Sequence, residues 1–147
     1  MTATQPPNNL EQPISAARKP RILFIAEAVT LAHVARPAVL AAALDQSLYE
    51  VLFAVDPRYN DLFPELSEFR HDLWSISSEQ FLNALAKGER LYSIEVLERY
   101  VHYDLELIER LKPDLIVGDF RLSLSVSARL KNIPYAAISN TYWTTHS

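Results

Sequence analysis

The chain has 147 residues, a formal net charge of −4, 49% hydrophobic and 22% charged residues, which suits one globular domain with its own core. The negative balance argues against nucleic-acid binding, because phosphate binding needs clustered Lys and Arg. The absence of cysteine excludes disulfides and thiolate metal sites, fits a reducing compartment, and leads us to expect a cytoplasmic protein.

The chain begins with a segment of low hydrophobicity. Residues 1–20 are rich in Pro, Gln, Asn and Ser and contain no apolar stretch of signal-peptide length, so they are predicted to be a disordered leader. The longest apolar region, residues 22–44, is interrupted by charged residues and a proline. No membrane span is therefore predicted.

Strands and helices alternate through residues 21–147, which form the predicted domain. Short apolar runs predict strands at 21–26, 50–55, 115–118 and 134–139, with a weaker strand at 73–76. Three- and four-residue spacing of apolar side chains predicts helices from 33 or 34 to 45, from 77 or 78 to 86, and at 89–111 and 122–131. This alternation predicts an α/β fold, a Rossmann-like doubly wound parallel sheet.

Two chemically capable side chains follow strands that are neighbours in the usual doubly wound order. His33 comes after the first strand, and Asp119 directly follows the fourth. Ligands bind at the carboxyl ends of the strands in such sheets, and adjacent strands lie only about 4.8 Å apart. An aspartate there could orient the imidazole and stabilise its protonated form, which is the arrangement of a general base for a hydroxyl group.

Two segments carry a resemblance to a known family. RILFIAEAVTLAHVARPAVLAAAL resembles the first strand, loop and helix of inverting, UDP-sugar-dependent glycosyltransferases with the GT-B fold, such as UDP-glucosyl- and glucuronosyltransferases. Their Gly-His motif, followed shortly by Pro, corresponds to Ala32-His33 and Pro37. KPDLIVGDFRLSLSVSARLKNIPYAAIS is similar to their Pro-Asp-x-x-x-x-Asp segment with the following helix and strand, and places Asp119 at the second aspartate.

The resemblance implies a function and a set of partners. His33 would be the catalytic base that deprotonates the acceptor, and Asp119 would pair with it. The co-substrate would be a UDP-sugar, without cofactor or metal, and the acceptor a hydroxyl-bearing small molecule or lipid. The family's second, donor-binding domain has no counterpart in the chain, and its first domain normally continues past the fifth strand. We therefore expect an incomplete, acceptor-side domain that is inactive alone. A subunit of a split enzyme with a donor-domain partner chain, or a non-catalytic binding module, are the alternatives.

Several residues also allow simpler interpretations. His33 could merely hydrogen-bond to the loop from the first turn of its helix, and Asp119 could cap the helix that follows it. Glu27, at the end of the first strand, could line the same cleft, but it is expected to be a solvated loop carboxylate. Tyr92, Tyr100 and Tyr103 could line an acceptor pocket or pack in the core. His71, His102 and His146 lack metal-ligand spacing, and Asp56 without a glycine-rich turn is weak support for a dinucleotide site.

Overall fold

Five parallel strands form a single sheet in the computed structural model, which describes residues 17–140. In chain order they are β1 (Arg21–Ala26), β2 (Glu50–Val55), β3 (Arg70–Asp72), β4 (Leu115–Asp119) and β5 (Tyr135–Ile138). The strand order across the sheet is β3-β2-β1-β4-β5, and every neighbouring pair is parallel. The predicted parallel α/β sheet is confirmed, with β1 and β4 as neighbours.

Helices cover both faces of the sheet. They are α1 (Leu31–Ala43), α2 (Ser78–Lys87), α3 (Ile94–Leu111) and α4 (Leu124–Leu130), with 3₁₀ helices at Pro57–Leu62 and Pro64–Phe69. Along β1, Phe24 packs in the core on the α1 side, whereas Leu23 and Ile25 pack with residues of α3 and α4 on the other side. Burial on both faces explains why β1 and β2 are continuous apolar runs, and why their bounds agree with the prediction.

The predicted third strand at 73–76 is wrong, since β3 covers only Arg70–Asp72. Leu73 still donates a backbone hydrogen bond to Val55, but the next residues bond to side chains instead of a strand. The amide of Ser75 donates to Asp56 Oδ2 at 3.1 Å, and the amide of Ile76 donates to the Tyr100 hydroxyl at 2.8 Å. Side-chain partners therefore end the strand at Asp72, four residues before the end that the apolar pattern suggested.

Helix starts also differ from the predictions. Helix α1 begins at Leu31, before the predicted start at 33 or 34, and Pro37 inside it has no N–H to donate to the carbonyl of His33. Helix α3 begins at Ile94 instead of residue 89, because the Ser93 hydroxyl accepts a hydrogen bond from the amide of Val96 at 3.2 Å and caps the helix there.

The two ends of the chain are only partly described. Residues 1–16 of the predicted leader lie outside the described residues, as do Tyr142, Trp143 and His146. Within residues 17–20, Arg18 bonds to Asp114, and Lys19 Nζ donates to the carbonyl of Gln46 at 2.8 Å. Across the described part of the chain, none of the helices combines the length and apolar character needed to cross a bilayer.

Candidate functional site

The carboxyl edge of the sheet brings the two predicted site residues to the same place. Ala26, the last residue of β1, is in register with Asp119, the last residue of β4. His33 lies in the first turn of α1, and its imidazole stacks on the ring of Phe120, with centroids 4.6 Å apart and planes 13° from parallel. His33 and Asp119 therefore share one edge, as the topology predicted.

The Asp119 carboxylate, however, pairs with Arg36 and not with His33. Arg36 Nη2 donates to Oδ1 at 2.8 Å, and Arg36 Nε lies 2.7 Å from Oδ2. Within residues 17–140, no hydrogen bond joins Asp119 to His33, so the expected histidine–aspartate contact is absent from this arrangement. The reason is the helical spacing: Arg36 lies three residues after His33 on the same face of α1, and its longer side chain reaches the strand end.

The His33 ring is held by a second contact on its own helix. Thr30 occupies the N-cap position, but its hydroxyl makes no cap bond and instead lies 2.9 Å from His33 Nδ1. Burial lowers the pKa of His33 below the ordinary histidine value, and the positive charge of Arg36 lowers it further. The half-buried imidazole is therefore neutral at neutral pH, with Nε2 lacking a hydrogen-bond partner within the described residues.

Phe120 adopts an unusual backbone conformation to reach the histidine. Its φ is +57°, in the left-handed region that bulky residues rarely occupy. Phe120 also packs edge-to-face on Phe81, at 5.8 Å between centroids, so an aromatic wall continues from His33 into the core. Asp119 does not cap α4, whose N-cap position is Ser123.

Glu27, predicted to be solvated, is completely buried at the end of β1. Its Oε1 accepts a hydrogen bond from the Tyr100 hydroxyl at 3.2 Å, and burial raises the pKa of this carboxyl. Tyr92 and Tyr100 likewise lie in the core, in the same cluster as Ile76. The core interpretation of these two tyrosines is therefore correct.

A second buried polar group adjoins Glu27. Arg121 Nε donates to Asp104 Oδ1 at 2.7 Å, with both side chains fully buried, and the guanidinium lies 4.4 Å from the centre of the Tyr100 ring. The hydroxyls of Ser123 and Ser127 donate to Asp104 Oδ2. A buried carboxylate needs such partners, because an unpaired buried charge is strongly destabilising.

Three buried polar atoms in this region have no hydrogen-bond partner within the described residues. They are Glu27 Oε2, Tyr92 Oη and Arg121 Nη2. Tyr100 connects their side chains, because its hydroxyl bonds Glu27, its ring faces Arg121, and its ring centre lies 5.5 Å from that of Tyr92. Buried water molecules commonly satisfy such atoms in folded proteins.

Tyr103 belongs to a different surface. With Trp74 and Leu107 it lines an open cleft of about 770 Å³ between the end of β3 and α3. This cleft lies on the far side of β2 from His33 and Asp119, so it is separate from the candidate site. Asp56 also borders it, but its carboxylate is paired with Arg58 at 2.9 Å, which gives no support to a ribose-binding role.

Sequence reasoning missed Arg36, Arg121 and Asp104. Asp104 lies on the buried stripe of α3 with Tyr100, Leu107 and Ile108, so a single acid at helical spacing among apolar residues was the available signal. Arg36 carried no comparable signal, since its partner is 83 residues away. Among residues 17–140 no cluster of three or more His, Asp or Glu could hold a metal ion.

Fold comparison shows that this domain shares its fold with solved glycosyltransferase structures. The glycosyltransferase SsfS6 of Streptomyces sp. SF2575 matches with a TM-score of 0.58 and 24% identity, over 80% of this chain and 38% of its own. The Rossmann-like fold class predicted from the sequence is confirmed. No family model matches the chain.

Sequence comparison finds similar glycosyltransferases at higher identity. A "PGL/p-HBAD biosynthesis rhamnosyltransferase" of Mycobacterium bovis BCG is 54% identical over 132 residues, 90% of this chain and 29% of its own length. An "Inactive PGL/p-HBAD biosynthesis glycosyltransferase" of the same organism is 50% identical over 137 residues, 93% of this chain and 37% of its own. The resemblance to glycosyltransferases is confirmed, and the chain spans about a third of the length of these relatives.

Proposed function

We propose that this chain supplies the acceptor side and the catalytic base of an inverting glycosyl transfer. The observation that carries the proposal is the placement of His33, whose ring is fixed between Thr30 and Phe120 beside the end of β4. Its neutral form suits proton removal from a hydroxyl group. Homology to glycosyltransferases supports the reaction class, and ligand binding at the carboxyl edge supports the location.

The proposed chemistry follows from the orientation of the imidazole. When Nδ1–H donates to the Thr30 hydroxyl, Nε2 carries the free lone pair and accepts the proton of the acceptor hydroxyl. The acceptor oxygen then forms a bond to the anomeric carbon as the bond from that carbon to the nucleotide diphosphate breaks. The diphosphate leaves with the electron pair, and the configuration at the anomeric carbon is inverted.

The donor and acceptor are proposed by class. We propose a nucleotide sugar, a UDP-sugar by the family resemblance, as the donor, bound mainly by a domain outside these 147 residues, in the same polypeptide or in a partner chain. The rhamnosyltransferase relative makes a deoxyhexose the first sugar to test. The acceptor would be a hydroxyl-bearing small molecule or lipid. Because the chain contains no cysteine, we also propose that it works in the reducing cytoplasm.

A chimera tests the proposal directly. These 147 residues would replace the matching segment of the M. bovis rhamnosyltransferase, to which the chain is 54% identical. We expect the chimera to transfer sugar and His33→Gln to reduce kcat by about 10²- to 10⁴-fold, the usual contribution of general base catalysis. His102→Gln, at an exposed position of α3 next to Glu106, is the matched control and is expected to retain activity. Equal activity of both variants would contradict the base role.

A non-catalytic binding domain is the second candidate. It is favoured by the Asp119 carboxylate, which pairs with Arg36 and leaves His33 without a carboxylate partner within the described residues. A chimera that folds and binds acceptor, yet transfers no sugar, would favour this candidate over the enzymatic one.

A further inference from the structure

We infer that Arg36 is a positioning residue of the candidate site, which holds the Asp119 carboxylate and keeps the neighbouring His33 imidazole in its neutral form. This inference rests on the proposed function and deepens it, because it assigns control of the proposed base to a residue other than His33 and Asp119. It rests on four contacts around one helix turn and one strand end.

Arg36 engages both Asp119 and the segment that follows β5. Two of its guanidinium nitrogens contact the two Asp119 oxygens, at 2.8 and 2.7 Å, and its Nη1 donates to Asn140 Oδ1 at 2.6 Å. The Asp119 side chain is 0% exposed and that of Arg36 is 34% exposed. A guanidinium that contacts both oxygens of one carboxylate is fixed in orientation, so the Asp119 carboxylate is occupied by Arg36.

His33 lies beside this pair but bonds elsewhere. Its Nδ1 contacts Thr30 Oγ1 at 2.9 Å, and its ring stacks on Phe120, the residue directly after Asp119. The charged group that acts on the imidazole is Arg36 on its own helix, and Asp119 at the end of β4 directly precedes Phe120, on which the imidazole stacks. Glu27, at the end of β1, has its carboxyl turned into the core toward Tyr100. The positive charge of Arg36 disfavours a second positive charge on His33.

In this arrangement Arg36 lowers the proton affinity of His33 in two ways. Its own charge opposes protonation of His33, and its grip on Asp119 removes the carboxylate that would favour protonation. Removing Arg36 reverses both effects at once, because Asp119 is then left with an unbalanced negative charge next to the histidine. The lowered pKa of His33 agrees with this geometry.

The test is a titration of His33 by NMR in the full 147-residue chain with ¹⁵N-labelled histidine. His33→Gln identifies the signal among the four histidines. We expect Arg36→Gln to raise the His33 titration midpoint by about one pH unit, roughly a tenfold rise in proton affinity. Arg36→Lys retains the charge and should keep the midpoint low. Asp119→Asn keeps Arg36 but removes the carboxylate and should lower the midpoint further.

Arg129→Gln, an exposed arginine on α4, controls for the change in net charge and should leave the midpoint in place. The inference is overturned if Arg36→Gln leaves the His33 midpoint unchanged or lower, or if Arg36→Lys raises it as much as Arg36→Gln. If Arg36→Gln does not fold, Asp119→Asn decides: a midpoint that stays or rises contradicts the inference. The titration needs no sugar transfer, so equal activity of the His33→Gln and His102→Gln chimeras would reject the proposed base without affecting this result.

Discussion

Strand β4 has an aspartate near each end, and each is paired with an arginine in a different environment. At the amino end, Asp114 accepts two hydrogen bonds from the Arg18 guanidinium, at 2.7 and 2.9 Å, and one from the amide of Arg21. At the carboxyl end, Asp119 pairs with Arg36. The Asp114 side chain is 39% exposed, whereas that of Asp119 is 0% exposed.

The two carboxyls respond in opposite directions. The hydrogen bonds from Arg18 and Arg21 lower the pKa of Asp114 to about 2. Burial raises the pKa of Asp119, and the hydrogen bond and charge of Arg36 only partly oppose that rise. An arginine partner therefore does not decide the behaviour of a carboxyl group by itself. Solvent access distinguishes the two pairs: the pKa of the exposed carboxyl is lowered, and the pKa of the buried carboxyl is raised.

The largest difference in stability between the two ends of β4 should appear when the arginine of each pair is replaced in a separate variant. We expect Arg36→Gln to lower the free energy of unfolding by about 3 kcal/mol, the low end of the cost of breaking a buried pair, because Arg36 is itself partly exposed. Arg18→Gln should have a much smaller effect, since water replaces its contacts. Urea unfolding of both variants measures the difference. Equal losses would mean that burial does not distinguish the two pairs.

Gly118 tests how tightly the carboxyl end of β4 is packed. A Cβ at this position would lie 2.5 Å from Leu124 Cδ1 and 3.1 Å from Tyr135 Cε2. We expect Gly118→Ala to cost about 2 kcal/mol by overpacking, as measured by thermal or urea unfolding. Adding Leu124→Ala removes the nearest obstructing atom, so the double variant should lose less than the sum of the two single losses. Additive losses would exclude this contact as the cause.

The smallest effect concerns acid stability. The pKa of Asp114 is lower in the folded chain than the ordinary 3.8, so its contribution is present above that value and is lost as pH falls toward about 2. Asp114→Asn should remove this acid-dependent loss, by at most about 1 kcal/mol because the pair is exposed to solvent.

Asp119 should behave oppositely in the same measurement. Its pKa is raised on folding, so the folded state binds more protons and stability declines as pH rises through the range above 3.8. Asp119→Asn should therefore make the rise of stability between pH 2 and 6 (roughly the range of carboxyl titration) steeper than in the parent chain. Unfolding free energies across this range check both variants, and changes in slope of the same sign, each relative to the parent chain, would contradict the comparison.

The order of strands and helices could be predicted because it depends on local sequence patterns. The apolar runs of β1 and β2 end at clear polar or turn residues, and the strand–helix alternation fixed the shared edge of His33 and Asp119. The third strand failed because partners distant in sequence, Tyr100 among them, took its backbone groups. A run of apolar residues reports burial, but it does not report which hydrogen bonds a backbone will make.

The side-chain pairs at the site could not be predicted in the same way. Asp119 had two basic candidates on one helical face, and the choice of Arg36 over His33 depends on side-chain reach and on the Thr30 contact that holds the ring. Glu27 looked like a loop carboxylate because its partner, Tyr100, lies 73 residues away. Such choices depend on three-dimensional distances that a linear pattern does not contain.

At Phe120, the conformational cost of the left-handed backbone conflicts with the contact that the side chain makes to His33. At φ +57° glycine would relieve the conformational cost, so a protocol that selects for thermal resistance would favour it there. The same substitution would remove the aromatic ring that stacks on the His33 imidazole, at 4.6 Å between centroids, and the imidazole would lose that constraint on its orientation. Thermal stability therefore favours glycine at position 120, whereas the orientation of His33 favours phenylalanine.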